Sequence, residues 1–475
     1  MITANIIEYK IYSFSNLSQE FNCNEEKTKF FLKKLKKYGI VKPKEDLSNI
    51  NNENIENVDI ETENCYVFKY VGIIIISDLI IKCYPKYLKN NANPDDELKQ
   101  VLKVIKKYNN SKGQNIQIQE ELDKNSNFNM LSIMIYLIED YYSNGLYRNS
   151  KRIIENNGPG EIIWDKTINE NNALIQKNRP YYFDLYTKKT IDDEENYFKL
   201  LHEVILTKCS KELEDTGLLD LFELTPINLN NNEINNFGEE DFIKFKIKQE
   251  LNIQFNSHKR LLLKTMYAYI ENKGSYLGDI NYFNLYGTNS YNLIWEEICG
   301  FVLKNKKNEK LKNLEMPNGK INKNYDKNQT LLSIIEKPSW HLLNKTSKSY
   351  EIFNSETLIP DILVLNKTEK GTEFIIFDAK YYNLPSNRPG IGDIIKQYLY
   401  ELAYKEFIKL NGFIDSKNCF LFPTDGENII NKGYVELKML NNLDLKNIEI
   451  ILLPAKLINQ LYLENKELNI SKLNI

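Results

Sequence analysis

The sequence predicts a multidomain α/β protein, α+β in the layout of its separate regions, and three observations carry that expectation. Its 475 residues suffice for about two to four domains. Helical and strand-like spacings are mixed along the first part, and from about residue 276 helices and strands alternate. Two runs in that last part, Leu358-Ile359-Pro360-Asp361-Ile362-Leu363-Val364-Leu365 and Phe374-Ile375-Ile376-Phe377-Asp378-Ala379-Lys380-Tyr381-Tyr382, are apolar enough for central strands, yet each carries charged residues.

Composition narrows the class. Hydrophobic residues make up 42% and charged residues 27% of the chain, so packed cores are expected. The net charge of -3 does not announce a nucleic-acid partner, and any basic surface must be local. Arginine occurs only at Arg148, Arg152, Arg179, Arg260 and Arg388, and a Lys, Asn and Ile bias weakens lysine clusters as a signal. The cysteines (Cys23, Cys65, Cys83, Cys209, Cys299, Cys419) form no C-x-x-C pair, and the histidines are only His202, His258 and His341. That pattern argues against a zinc site and a disulfide framework and fits a reducing cytosol. No signal-peptide pattern opens the sequence, so a cytoplasmic protein is expected. The most apolar run, 70–81, is too short for a membrane span and contains Asp78.

Taken in order, residues 1–41 read as helical. Residues 17–21 form a short apolar-faced piece. Residues 24–38 set Thr28, Phe31, Leu32, Leu35 and Tyr38 on one face, and Gly39 supplies a stop. The pair resembles a winged helix-turn-helix, or equally an amphipathic hairpin that packs on its neighbour. Residues 42–64 are Asn- and Glu-rich, as expected of a linker. The run 70–81 reads as two strands turning at Ser77-Asp78 and leads to Cys83-Tyr84-Pro85-Lys86-Tyr87. Helices are expected at 95–108, 130–147, 194–212 and 239–272, the last long enough to join two domains, with a short strand at 161–164. No repeat of solenoid period and no G-x-x-x-x-G-K occurs, so nucleotide hydrolysis by this chain alone is not expected.

The chemistry gathers in the two apolar runs. Asp378 and Lys380 alternate with Ala379 and so leave a strand on the same face. Asp361 lies seventeen residues before Asp378, and the midpoint between them falls between Glu369 and Lys370. A four-residue turn at 368–371, with Gly371 left-handed, places the two aspartates directly opposite, about 4.5–5.5 Å apart. A three-residue turn puts them on opposite faces. Two like charges that close are unfavourable unless a cation bridges them. Mg²⁺ takes oxygen ligands and keeps several waters. Asp361 and Asp378 are therefore its expected carboxylate ligands, with the Ala379 carbonyl a third. Lys380 is expected to orient or deprotonate an attacking water and to offset charge on a phosphate in phosphodiester hydrolysis.

Two flanks support this. The amphipathic stretch 291–299 carries Glu296 behind Trp295, and Glu296 is expected to reach the metal site; a solvated helix face is the alternative. Downstream, 393–400 begins a helix on which Lys396, Gln397 and Tyr400 are expected to touch a DNA backbone, against the alternative of a core-packing helix. Residues 304–327 carry eight lysines against three acids, which suits either a phosphate backbone or a solvated loop.

These residues resemble the PD-(D/E)XK nuclease superfamily: Pro360-Asp361, then Asp378-Ala379-Lys380, with Glu296 before and Gln397 after. The resemblance implies a C-terminal mixed sheet flanked by helices. Four further stretches make it closer: Tyr66-Val67-Phe68-Lys69-Tyr70-Val71-Gly72, Cys83-Tyr84-Pro85-Lys86-Tyr87, 158–168 beginning Gly158-Pro159-Gly160, and Phe377-Asp378-Ala379-Lys380-Tyr381-Tyr382. Together they resemble the LlaJI-type restriction endonucleases, relatives of McrC. The helix-turn-helix-like region with linker at 1–60 is read from the residues alone; the resemblance, which spans about residues 60 to 470, implies an McrC-like partner-binding region at 61–275 and the endonuclease at 276–475. It also implies double-stranded DNA as substrate, an McrB-like AAA+ GTPase as partner and a cognate DNA methyltransferase in the same antiviral system, with no membrane. The sequence reads Gln397-Tyr398-Leu399-Tyr400 where many relatives have Q-x-x-x-Y. Two other readings remain: a self-sufficient type II endonuclease whose residues 1–275 recognise the site, and a non-catalytic DNA-binding subunit that activates a partner's GTPase.

Overall fold

A computed structural model describes residues 2–43, 65–88, 94–111, 130–271, 283–343, 349–353, 356–384, 387–473 and 475. From the N-terminus run β1 (Ile2–Ile7), β2 (Ile11–Ser13), α1 (Phe14–Glu20), α2 (Glu25–Lys37), β3 (Val41–Pro43), β4 (Cys65–Phe68), β5 (Val71–Ile76), β6 (Leu79–Tyr84) and α3 (Pro94–Ser111). Next come α4 (Met130–Asn144), β7 (Ser150–Asn156), β8 (Glu161–Ile162), α5 (Trp164–Glu170), β9 (Leu174–Gln176), β10 (Arg179–Tyr181), β11 (Tyr186–Asp192), α6 (Tyr197–Asp215), α7 (Leu218–Leu221), α8 (Glu240–Ile253) and α9 (Ser257–Glu271). The last part holds β12 (Phe283–Thr288), α10 (Tyr291–Val302), β13 (Ser339–Leu343), β14 (Ser349–Phe353), β15 (Ile362–Thr368), β16 (Gly371–Ala379), α11 (Ile391–Asn411), β17 (Asp415–Thr424), β18 (Ile430–Val435), β19 (Ile448–Pro454) and α12 (Ala455–Leu463). The protein is a mixed α/β chain, and among the described residues no helix is long and apolar enough to cross a membrane.

Two compact units result: Met1–Asn115 with Ile280–Ile475, and Ile116–Asp279. They cut across the regions 1–60, 61–275 and 276–475 expected from the sequence. The reason is a strand pairing: β12 adds to β5, so a late segment completes an early sheet of order β1-β6-β5-β12. That closure depends on two glycines facing each other. A Cβ on Gly72 (φ +137°) would sit 2.2 Å from the Tyr286 carbonyl oxygen, and one on Gly287 (φ +158°) would sit 2.1 Å from that of Val71.

The second sheet of the first unit has order β15-β16-β17-β19-β18. Strands β16, β17 and β19 run parallel, and β15 and β18 are antiparallel edges. Its central strands are continuous apolar runs, as strands covered on both faces require. Leu363, Phe374 and Ile376 pack with Tyr404 and Phe407 of α11 and with Phe413. Each such buried ring or branched chain contributes about 1.5–3 kcal/mol. In the small sheet β2-β4-β3, the helices α1 and α2 stand between β2 and β3, the order expected of a winged helix. Asn24 caps α2 by accepting the Lys27 N–H at 3.0 Å, with Glu25 and Glu26 in its first turn and Lys34, Lys36 and Lys37 in its last, as the helix dipole favours.

The second unit packs α4, α6, α8 and α9 beside a sheet β7-β11-β8 and a hairpin β9-β10.

Several expectations need correction. Residues 2–7 and 11–13 are strands, not helix: Ala4 and Ile6 alternate into the core while β1 runs parallel to β6. Tyr38 does not share the buried face of Thr28, Phe31, Leu32 and Leu35; it lies exposed and stacks on Phe283 at 3.9 Å between ring centroids. The single helix at 239–272 is two. Asn256 Oδ1 accepts the Lys259 N–H at 3.0 Å to start α9, and Arg260 Nη1 donates to the Leu251 and Gln254 carbonyls that end α8. Trp164 opens α5 instead of ending a strand. Of the linker expected at 42–64, Lys42 and Pro43 belong to β3 and residues 44–64 lie outside the described residues.

Candidate active site

The hairpin β15–β16 decides whether the two aspartates meet. Thr368 pairs with Gly371 and Ile362 with Phe377, so the register carried one step further sets Asp361 opposite Asp378. The turn is the four-residue one, closed by Thr368 Oγ1 donating to the Gly371 carbonyl at 2.9 Å. Gly371 has φ +140°, a positive value but more extended than the compact left-handed one expected.

Asp378 is only 4% exposed. Burial pushes its carboxyl well above the usual carboxylate range, and the hydrogen bond and charge of Asp361 push it further against the opposing Lys380. Asp361 Oδ2 accepts the Ala379 N–H at 3.0 Å. Lys380 Nζ lies 3.2 Å from Asp378 Oδ2 and donates to Asp393 Oδ1 at 3.0 Å. Burial disfavours the charge on Lys380, but Asp378, Asp393 and Asp361 more than offset it and hold the ammonium protonated. In this state Lys380 suits charge compensation and water orientation better than proton removal.

Glu296 reaches the same place from α10. It lines an open cleft of about 450 Å³ with Glu297, Asn305, Lys307, Asn308 and Asp361. Burial first, then the charge of Asp361, raises its carboxyl to about 7, against Lys380 and Lys307. Trp295 beside it is fully buried and turns its indole Nε1 to the Leu421 carbonyl at 3.5 Å, which leaves Glu296 on the cleft side.

Thus Asp361, Asp378, Lys380 and Glu296 converge. Three other residues support them without having been singled out from the sequence. Asp393, in the first turn of α11, holds Lys380. Asn305 clamps the start of β15: its Nδ2 donates to the Asp361 carbonyl at 2.8 Å and its Oδ1 accepts the Leu363 N–H at 3.1 Å. Lys307 donates to the Pro360 carbonyl at 3.4 Å from the cleft wall. An acid at a helix start was a visible signal for Asp393, and Lys307 falls in the lysine-rich stretch 304–327; nothing local pointed to Asn305.

The expected DNA contacts fare differently. Lys396 is exposed. Gln397 is fully enclosed, with Nε2 directed at the Ile376 and Cys419 carbonyls at 3.4 and 3.5 Å. Tyr400 is buried and donates to the Ile359 carbonyl at 3.0 Å. Gln397 braces β16 and β17, and Tyr400 the segment leading into β15, so neither presents itself to a DNA backbone. In 304–327 some lysines are engaged, Lys304 with Glu467 and Lys306 with Glu309.

Two carboxylates in contact, one of them buried, are most stable together when they share a proton or a cation. The donor set is all oxygen, which suits Mg²⁺. Among the described residues no three His, Cys, Asp or Glu side chains are grouped to hold a metal unaided. An ion here therefore needs backbone, water or substrate oxygens as well, as Mg²⁺ ordinarily does.

Comparison with known proteins bears on this geometry. A family model described as LlaJI restriction endonuclease matches residues 70–333 and 323–456. The type II restriction enzyme BsuMI component YdjA of Bacillus subtilis strain 168 is 28% identical over 413 residues, which cover 84% of this chain and 81% of that protein. Among solved structures, an assembly of Thermococcus gammatolerans McrB AAA+ hexamers with bound McrC aligns over 98% of this chain and 99% of its own. The TM-score is 0.37 and the identity 11%, too loose a likeness to carry the fold.

Proposed function

Given that the chain belongs to the LlaJI restriction endonuclease family, we propose that it is the Mg²⁺-dependent nuclease component of its restriction system and cuts double-stranded DNA at the Asp361–Asp378 pair. The observation that carries this reading is the hairpin register, which sets two carboxylates side by side with Lys380 against one of them. We read this arrangement as a PD-(D/E)XK site, and the nearness of Lys380 to Asp378 supports that reading.

Asp361, Asp378 and the Ala379 carbonyl would hold the ion. Bound there, Mg²⁺ would polarise a phosphoryl oxygen and lower the pKa of a coordinated water. Lys380, kept protonated by its acidic neighbours, offsets charge on the phosphate and holds the attacking water in line. Asp393 fixes the direction of that ammonium. Glu296, whose carboxyl is raised to about 7, is poised to take a proton from the water side. In hydrolysis the water oxygen forms a new bond to phosphorus and the bond to one sugar oxygen breaks. The water gives up a proton and the leaving oxygen gains one.

A partner supplies what the chain lacks. It has no G-x-x-x-x-G-K phosphate-loop motif, and its Bacillus relative is named as one component of a restriction enzyme. An McrB-like AAA+ GTPase is therefore the proposed motor, and a cognate methyltransferase the proposed protector of host DNA. The test is plasmid cleavage with Mg²⁺, with and without GTP and such a motor, for wild type and Asp378→Ala. Cutting that needs the motor and vanishes in Asp378→Ala supports the reading. Cutting by the chain alone favours a self-sufficient enzyme, and cutting by Asp378→Ala rejects the site.

A further inference from the structure

The motif Cys83-Tyr84-Pro85-Lys86-Tyr87 has no part in the chemistry above, yet it ends directly behind the catalytic strand. Tyr381, the residue after Lys380, is buried and donates its hydroxyl to Glu8 Oε2 at 2.6 Å. The same hydroxyl accepts the Lys86 N–H at 3.2 Å. Asn383 Nδ2 donates to the Lys86 carbonyl at 3.0 Å. Lys86 Nζ lies over three rings, 4.4 Å from the centroid of Tyr381, 4.8 Å from Tyr9 and 5.5 Å from Tyr382. Glu8 and Lys86 are 2% and 5% exposed, so an acid and a base are both taken out of water here.

That anchor touches both walls of the site. Through the backbone, Tyr381 adjoins Lys380 and Ala379. Through its ring it packs on Tyr291, the first residue of α10, at 5.2 Å between centroids. Glu296 follows little more than one helical turn later. Tyr87 closes the cluster against both rings, at 6.3 Å from Tyr381 and 6.5 Å from Tyr291. Burying an acid and a base costs desolvation that an apolar contact of equal size avoids. What it adds is geometry: the phenol is held from Glu8 and Lys86 together, and a cation over aromatic faces has few alternative places to go.

We propose that Glu8, Lys86 and Tyr381 are positioning residues of the nuclease, and that the N-terminal sheet sets the catalytic geometry by fixing the end of β16 and the start of α10 to one buried hydrogen-bonded anchor. The proposal rests on the metal site assigned above. It explains why the early strands and the late nuclease segment fold as one unit. It also means that whatever moves β1 or the 85–88 turn reaches Lys380 through one side chain.

The test uses the full chain and Mn²⁺ as a spectroscopic substitute for Mg²⁺. Binding is followed by electron paramagnetic resonance for wild type, Asp378→Ala, Tyr381→Phe and Lys86→Met, with urea unfolding of each. Tyr381→Phe keeps the ring and removes only the hydroxyl. It is expected to weaken Mn²⁺ binding about tenfold, as loss of an outer-shell partner does, and to broaden the bound signal, with the urea midpoint nearly unchanged. Lys86→Met should do the same or more. Wild-type affinity in Tyr381→Phe, or affinity lost only in proportion to the unfolded fraction, overturns the anchor while loss in Asp378→Ala leaves the metal site standing. Wild-type affinity in Asp378→Ala removes the metal site, and the anchor's role with it.

Discussion

Two buried clusters, one in each unit, shift their groups in opposite directions. In Met1–Asn115 with Ile280–Ile475, acids are crowded together: Asp378 is held well above its usual range and Glu296 at about 7, by burial and by Asp361. In Ile116–Asp279 a buried base, His202, which burial lowers to about 4, sits near the buried Asp140. His202 Nδ1 accepts the Tyr147 N–H at 3.2 Å, and nearby Asp140 Oδ1 lies 2.7 Å from His258 Nε2. A neutral imidazole at rest on a backbone N–H is a structural polar group. Crowded carboxylates disfavour each other's charge, and on the proposed reading a cation relieves this. We read the first cluster as the one with a chemical task and the second as a brace between helices.

The comparison breaks most visibly in cleavage. Asp361→Ala or Asp378→Ala should lower single-turnover plasmid cutting more than about hundredfold, whereas His258→Asn in the other unit should change it less than about threefold. Equal losses would erase the distinction.

A second effect concerns strain. Replacing Asp378 by Asn removes a buried carboxyl that the metal-free fold disfavours. The metal-free melting temperature should therefore rise, by about 1–2 °C for each 1 kcal/mol relieved in a unit of this size. Mg²⁺ should stabilise wild type but not this variant; calorimetry with and without the ion reads both.

The pH slopes should then differ in sign. Glu296 has a folded pKa of about 7 against 4.5, so between these values the folded state holds the extra proton. Its contribution is fully present below pH 4.5 and is lost as pH rises through 7. His202 has a folded pKa of about 4 against 6.5, so the unfolded state holds the extra proton. That contribution is present above pH 6.5 and is lost as pH falls through 4. From pH 5 to 6.5, without metal, exchange protection corrected for intrinsic rates should fall in α10 and rise in α6. Parallel slopes would contradict the contrast.

The smallest effect belongs to the surface. If Lys396 meets a phosphate, Lys396→Ala lowers the salt slope of DNA binding by about one; Gln397→Ala should leave that slope alone and cost stability instead.

What could be read from residues alone follows the same divide between local and distant causes. The register of β15 and β16 was legible because both strands are apolar runs with a centred turn. The strands β1 and β2 were not, since three to six residues show too little period and their state comes from pairing with β6 and β4. The break at Gln254-Phe255-Asn256 escaped because apolar spacing continues across it and a capping Asn carries no periodicity. Burial of Gln397 and Tyr400 depends on which face of α11 meets the sheet. Asn305 and Glu8 act across 56 and 373 residues of chain, a distance at which spacing says nothing.

The account turns on Asp361 and Asp378 sharing one ion, and a double-mutant cycle tests that most directly. Single-turnover cleavage with Mg²⁺ is measured for Asp361→Asn, Asp378→Asn and the pair, with enzyme in excess. If one ion needs both, the double variant cuts no more slowly than the worse single one. Losses that multiply would mean two independent roles and would contradict the shared site.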